Sequence, residues 1–154
     1  MRRALLGFAG AAGGVLLTAG PAFAATTGAQ GFTLTSSGRG PLQVTATGPI
    51  HGAAVDKTSG PTHDQFVFPQ GAVNVQHAPT SSHQGPTAGC TTFYTERGTY
   101  GLAGGTGAYA GASGGGTYFL HDVSFAKMLP NGTCSQKPSS NLTTIFAHGT
   151  TTLP

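Results

Sequence analysis

Apolar and polar residues alternate in short runs along most of this chain, and turn-forming residues interrupt them every eight to twelve positions. A period of two places successive side chains on opposite faces of an extended segment, which is the pattern of a half-buried β-strand. No stretch after residue 24 sustains the 3.6-residue apolar period of a helix, so helix is expected to be nearly absent. The pattern predicts strands at residues 32–36, 42–47, 50–55, 64–68, 72–77, 91–102, 117–125 and 142–150. Residues 25–31, the tail after Thr150 and residues 78–89 (APTSSHQGPTAG) read as loops. Eight short antiparallel strands predict an all-β fold, a small closed eight-stranded antiparallel β-barrel whose interior is filled by side chains or holds one small ligand. A two-sheet β-sandwich is the runner-up.

The first 24 residues follow another rule. Arg2 and Arg3 precede an apolar, small-residue run from Ala4 to Ala19, and Pro21 breaks it before Ala22, Phe23 and Ala24. That is the layout of a signal peptide, with cleavage expected after Ala24, so residues 25–154 form a single secreted domain. The run is short and rich in glycine, so no integral membrane association is expected after cleavage, and the product is either free outside the cell or retained at its wall. Removing the signal takes two of the seven basic residues and none of the four acidic ones, leaving a net charge of about +1. The remaining cations, Arg39, Lys57, Arg97, Lys127 and Lys137, are scattered, which argues against a nucleic-acid or anionic-membrane partner. Homo-oligomerisation stays open, because no interface patch is readable.

Cys90 and Cys134 are the two cysteines, and in an exported chain they are expected to form a disulfide. Neither has a CxxC partner or a histidine close by, so no metal site is expected, and no cofactor motif survives inspection. Gly105-Thr106-Gly107-Ala108-Tyr109-Ala110 fits the dinucleotide fingerprint, but that chemistry needs a helix start, which Gly111, Gly114, Gly115 and Gly116 oppose. The GxSxG match around Ser113 fails for the same reason.

The surrounding run, GTYGLAGGTGAYAGASGGGTY, reads as a glycine-and-tyrosine hairpin signature. Over about residues 99–125 it resembles the GTG-aromatic motif of the allene oxide cyclase and dirigent-like β-barrels, and is nearest to small secreted actinobacterial members. The resemblance implies an eight-stranded antiparallel barrel with a central cavity; plant members use theirs to cyclise a lipid epoxide or to steer phenoxy-radical coupling. Dirigent members carry an arginine where this chain has Ser113.

Strand parity supplies the candidate chemistry. If Phe93, Thr95 and Arg97 share one face, then Tyr94, Glu96, Tyr100 and Leu102 share the other, and Glu96 points into the barrel. A carboxyl in an apolar cavity can serve as acid, base or ligand anchor. His77 falls with Val73 and Val75, His121 with Phe119, Val123 and Phe125, and His148 with Phe146. Asp64 and Asp122 directly follow His63 and His121, so those neighbours face opposite ways and are not expected to form His-Asp dyads. Tyr94, Tyr100, Tyr109 and Tyr118 are candidate cavity linings. The candidate ligand-binding set is therefore Glu96, Tyr94, Tyr100, His77 and His121, with Glu96 the candidate catalytic residue. Without a recognisable catalytic constellation, the expected role is non-catalytic binding of a small apolar or aromatic molecule. A cyclase or isomerase using Glu96, and a ligand-free barrel acting at the cell surface, are the alternatives.

Overall fold

A computed structural model describes residues 24–38, 40–85 and 89–154; the predicted signal peptide, apart from Ala24, and Arg39 lie outside the described residues. Eight strands, β1 (Thr26–Ser37), β2 (Gln43–Thr47), β3 (Gly52–Gly60), β4 (His63–Phe68), β5 (Gly71–Gln84), β6 (Thr91–Gly105), β7 (Ser113–Met128) and β8 (Cys134–Leu153), pair antiparallel in chain order. β1 closes on β8 from Thr26↔Leu153 to Ser37↔Leu142, giving the closed eight-stranded barrel that the alternation predicts. The sandwich is excluded, since a single continuous ring of strands replaces two stacked sheets.

Three segments expected to be loops are strands. Residues 26–31 are part of β1, residues 151–153 complete β8, and residues 78–84 continue β5 to Gln84↔Tyr94. Their sequences carry few large apolar residues, so there was no alternation to read; neighbouring strands order them through backbone hydrogen bonds. Conversely, Ile50 precedes β3, yet it is fully buried. Its backbone N–H donates to Gln30 Oε1 at 3.0 Å, and its carbonyl accepts from Gln30 Nε2 at 2.9 Å. A glutamine 3 % exposed thus satisfies a buried chain turn that has no strand partner.

The glycine-and-tyrosine run closes one end of the barrel. Gly107–Tyr109 form a 3₁₀ turn, and the Tyr109 ring packs 5.1 Å from that of Phe68. Thr106 ties this turn to β5, its N–H donating to the Ala72 carbonyl at 2.8 Å and its hydroxyl oxygen accepting from the Ala72 N–H at 3.1 Å. Gly114, Gly115 and Gly116 lie within β7, so they belong to the wall. Above this floor sit the buried apolar residues of the core, among them Phe32, Val44, Phe66, Val73 and Leu102.

At the other end β5 to β8 run past β1 to β4 as a four-stranded flap. The Cys90–Cys134 disulfide, Cα–Cα 5.3 Å, joins the start of β6 to the start of β8 across β7. Such a bond is compatible with an extracellular protein. No helix among the described residues is long and apolar enough to cross a membrane.

Candidate functional site

Alternation along β6 decides which side chains face the interior. Gly98, Tyr100 and Leu102 are buried while Arg97 and Thr99 are exposed, so Glu96 stands on the inner face, as strand parity predicts. It lines a cavity of about 80 Å³. The lower wall is apolar, with Phe32, Phe66, Val75 and Tyr100, and the upper rim is polar, with Asp64, His77, Glu96 and Tyr118.

The rim is one connected network. Tyr94 donates its hydroxyl to Glu96 Oε2 at 2.6 Å, and Tyr118 donates to Glu96 Oε1 at 2.7 Å. Tyr118 reaches Glu96 because its cross-strand partner is Gly98, over which the ring lies; a Cβ there would stand 2.5 Å from Tyr118 Cε1. Asp64 pairs with Val75 in the β4–β5 register, which puts it diagonal to His77 on the same face. Asp64 Oδ2 and His77 Nε2 are 3.3 Å apart. The His77 ring meets Tyr118 edge-on, centroids 5.9 Å apart, and so links the Asp64–His77 pair to the Tyr94–Glu96–Tyr118 triad.

Burial dominates the electrostatics. Desolvation pushes the Asp64 carboxyl above its ordinary range, and His77 and the Thr58 hydroxyl partly offset this. Asp56, on β3 and 6 % exposed, is raised from 3.8 to about 7 by burial and then by the charge of Asp64. Its Oδ1 makes no hydrogen bond. Burial, followed by the bond to Glu96, holds the Tyr118 proton more tightly than usual. For Tyr94 the bond to Glu96 is the main cause of the same effect. Tyr100 is raised by burial, and its hydroxyl has no partner.

The structure thus brings Glu96, Tyr100 and His77 together at one cavity, while Tyr94 stands outside its lining and reaches it only through its bond to Glu96. His121 does not join them. Tyr118 and Leu120 face inward, so His121 faces outward, where its ring stacks 6.4 Å from Phe93 at an interplanar angle of 19°. His148 is also outside, 3.3 Å from the Thr117 hydroxyl. Tyr109 packs in the floor and Ser113 is exposed at the start of β7. The adjacent His63–Asp64 and His121–Asp122 pairs form no ion pair within 4.0 Å, whereas Asp64 meets His77 from the next strand. Asp64 and Asp56 were not among the candidates. The alternation of Asp64 with Phe66 and Phe68 carried that signal, since a polar residue in phase with two core phenylalanines faces the core.

Chemically, the rim offers a carboxylate held by two phenols opposite a carboxyl–imidazole pair, above an apolar chamber. These groups can orient a polar head while the walls hold an apolar body. Among the described residues no cluster of three histidine, cysteine, aspartate or glutamate side chains is arranged to hold a metal ion. Comparison of the chain with protein-family models, with curated proteins and with solved structures finds no match.

Proposed function

We propose that the protein is a secreted barrel of the allene oxide cyclase-like type that binds a small molecule with an apolar or aromatic body, without transforming it. The observation that carries this reading is the 80 Å³ cavity: the barrel is not filled by its own side chains, and Glu96 and Tyr118 meet at its rim above Tyr100. A volume well under the roughly 300 Å³ of a drug-sized pocket suits a compact molecule, or one end of a longer one that projects through the mouth. The Gly/Tyr run and the closed eight-stranded architecture support the family reading, and the disulfide supports an oxidising destination.

A second reading, a cyclase or isomerase, has one specific observation in its favour. Glu96 accepts from two phenols, the Tyr118 proton being retained by burial and then by Glu96 and the Tyr94 proton chiefly by Glu96, a carboxylate–phenol arrangement able to share a proton. Native mass spectrometry of the protein as secreted tests the first reading: a non-covalent adduct of small mass is expected, released on denaturation. A bare chain mass, together with no saturable binding of small aromatic or aliphatic probes, overturns it. Glu96→Gln separates the two readings, because a binder keeps the captured compound unchanged, whereas an enzyme holds the compound and stops converting it.

A further inference from the structure

All four carboxylates of the chain, Asp56, Asp64, Glu96 and Asp122, stand on the inner face of the sheet. Asp56 shares its face with the core residue Ala54, Asp64 and Glu96 line the cavity, and Asp122 follows Leu120 by two positions on β7. The lysines and arginines among the described residues are segregated from them: Lys57, Arg97, Lys127 and Lys137 are all exposed. Among the described residues no lysine or arginine pairs with a carboxylate; the ion-pair partner of Asp64 is His77, and Glu96 is held by phenols, which supply dipoles but no charge.

A second, independent feature points to a ligand. Tyr100 lines the same cavity four residues along β6 from Glu96, is 7 % exposed, and its buried hydroxyl has no hydrogen-bond partner. A buried hydroxyl left unpaired is costly, and a ligand N–H or O–H reaching it removes that cost. The walls beside it are aromatic. Phe32 sits edge-on to Phe66 at 5.3 Å and to Tyr100 at 6.0 Å, surfaces whose negative faces attract a cation.

Resting on the cavity-binding reading above, we infer that the ligand is a small organic cation, an alkyl or aryl ammonium. Its charged head is held at the rim by Asp64 and Glu96 and its apolar body by the aromatic wall. An anion would face the two carboxylates of the cavity rim, Asp64 and Glu96. A neutral molecule of the same shape would leave their field unanswered.

The oxidised full-length protein is titrated with butylammonium, 1-butanol and butyrate, three probes of one size and different charge, while the ring resonances of Tyr100 and Tyr118 and the methyls of Ile145 are followed by NMR. Butylammonium is expected to bind at least tenfold more tightly than butanol, and butyrate to give no saturable shift. Asp64→Asn and Glu96→Gln are each expected to weaken butylammonium about tenfold and to leave butanol unchanged. Butanol binding as tightly as butylammonium overturns the inference while the cavity-binding reading stands. Silence from all three probes removes both. The comparison on the parent protein needs no variant to fold.

Discussion

Asp56 gives the sharpest test of the interior electrostatics. It is 6 % exposed, its Oδ1 accepts no hydrogen bond, and burial together with Asp64 raises it from 3.8 to about 7. An acid raised in this way is favoured by the fold in its protonated form. The associated stability is fully present below about pH 4, declines as the unfolded chain gives up its proton first, and is lost once pH passes through about 7. A difference of roughly 3 in pKa, at 1.36 kcal/mol each, amounts to about 4 kcal/mol, a large part of a typical stability of about 5–15 kcal/mol. Asp56→Asn removes the titration. Its amide brings an offset of its own, but that offset does not vary with pH, and Asp64 titrates in both proteins. Urea denaturation of parent and variant at pH 4 and pH 8 therefore isolates the effect. At about 2 kcal/mol per molar urea, the parent midpoint is expected to fall by about 2 M more than that of the variant. Parallel pH dependences in the two proteins refute the reasoning.

Three further outcomes follow from single contacts. Gly98→Ala places a Cβ 2.5 Å from Tyr118 Cε1 and 2.4 Å from the Ala78 carbonyl oxygen, so overpacking and a displaced Tyr118–Glu96 bond are expected to destabilise by about 2–4 kcal/mol. Ultraviolet titration is then expected to show one tyrosine ionising at lower pH than in the parent; an unchanged titration and midpoint would sink this account. Gln30→Leu strips both partners from the buried Ile50 backbone and is expected to lower stability by about 3 kcal/mol, with fast amide exchange at Ile50; native-like protection there counts against the anchoring role. Replacing Cys90 and Cys134 by serine opens a link between residues 44 apart and is expected to lower stability by about 4 kcal/mol, read from the thermal midpoint against the oxidised parent; a loss below 1 kcal/mol contradicts the loop-entropy estimate.

Most of the barrel and half of the rim were legible because both depend on a period of two. Phase along β6 put Tyr94, Glu96 and Tyr100 on one face, and phase along β5 put His77 with Val73 and Val75, with no knowledge of which strands are neighbours. The same bookkeeping grouped His121 with Phe119 and Phe125 but could not say whether that apolar face was inside. Here it is not: Phe125 is 41 % exposed and Phe146 54 %, and the inner face of β7 is the one with Tyr118 and Leu120. Apolar character misled because the wall carries exposed phenylalanines outside and carboxylates inside. The Asp64–His77 pair was illegible for another reason. It depends on the register between β4 and β5, and no single strand encodes that.

The glycines of the signature run have a larger part than turning the chain. On the inner face of β6 and β7 the cross-strand partners are Gly98 with Tyr118 and Tyr100 with Gly116, so each of these tyrosines faces a residue with no side chain. A barrel of eight strands has an interior only wide enough to be filled, and two tyrosines in consecutive rows would fill it if they met residues of ordinary size. Setting each against a glycine lets the Tyr118 ring lie flat over Gly98 and reach Glu96, and lets Tyr100 line the chamber without closing it. The cavity is thus a consequence of which glycine pairs with which tyrosine. A shift of β7 against β6 by two residues keeps every side chain on its face, yet it sets Tyr118 against Tyr100 or Glu96, and the chamber is lost.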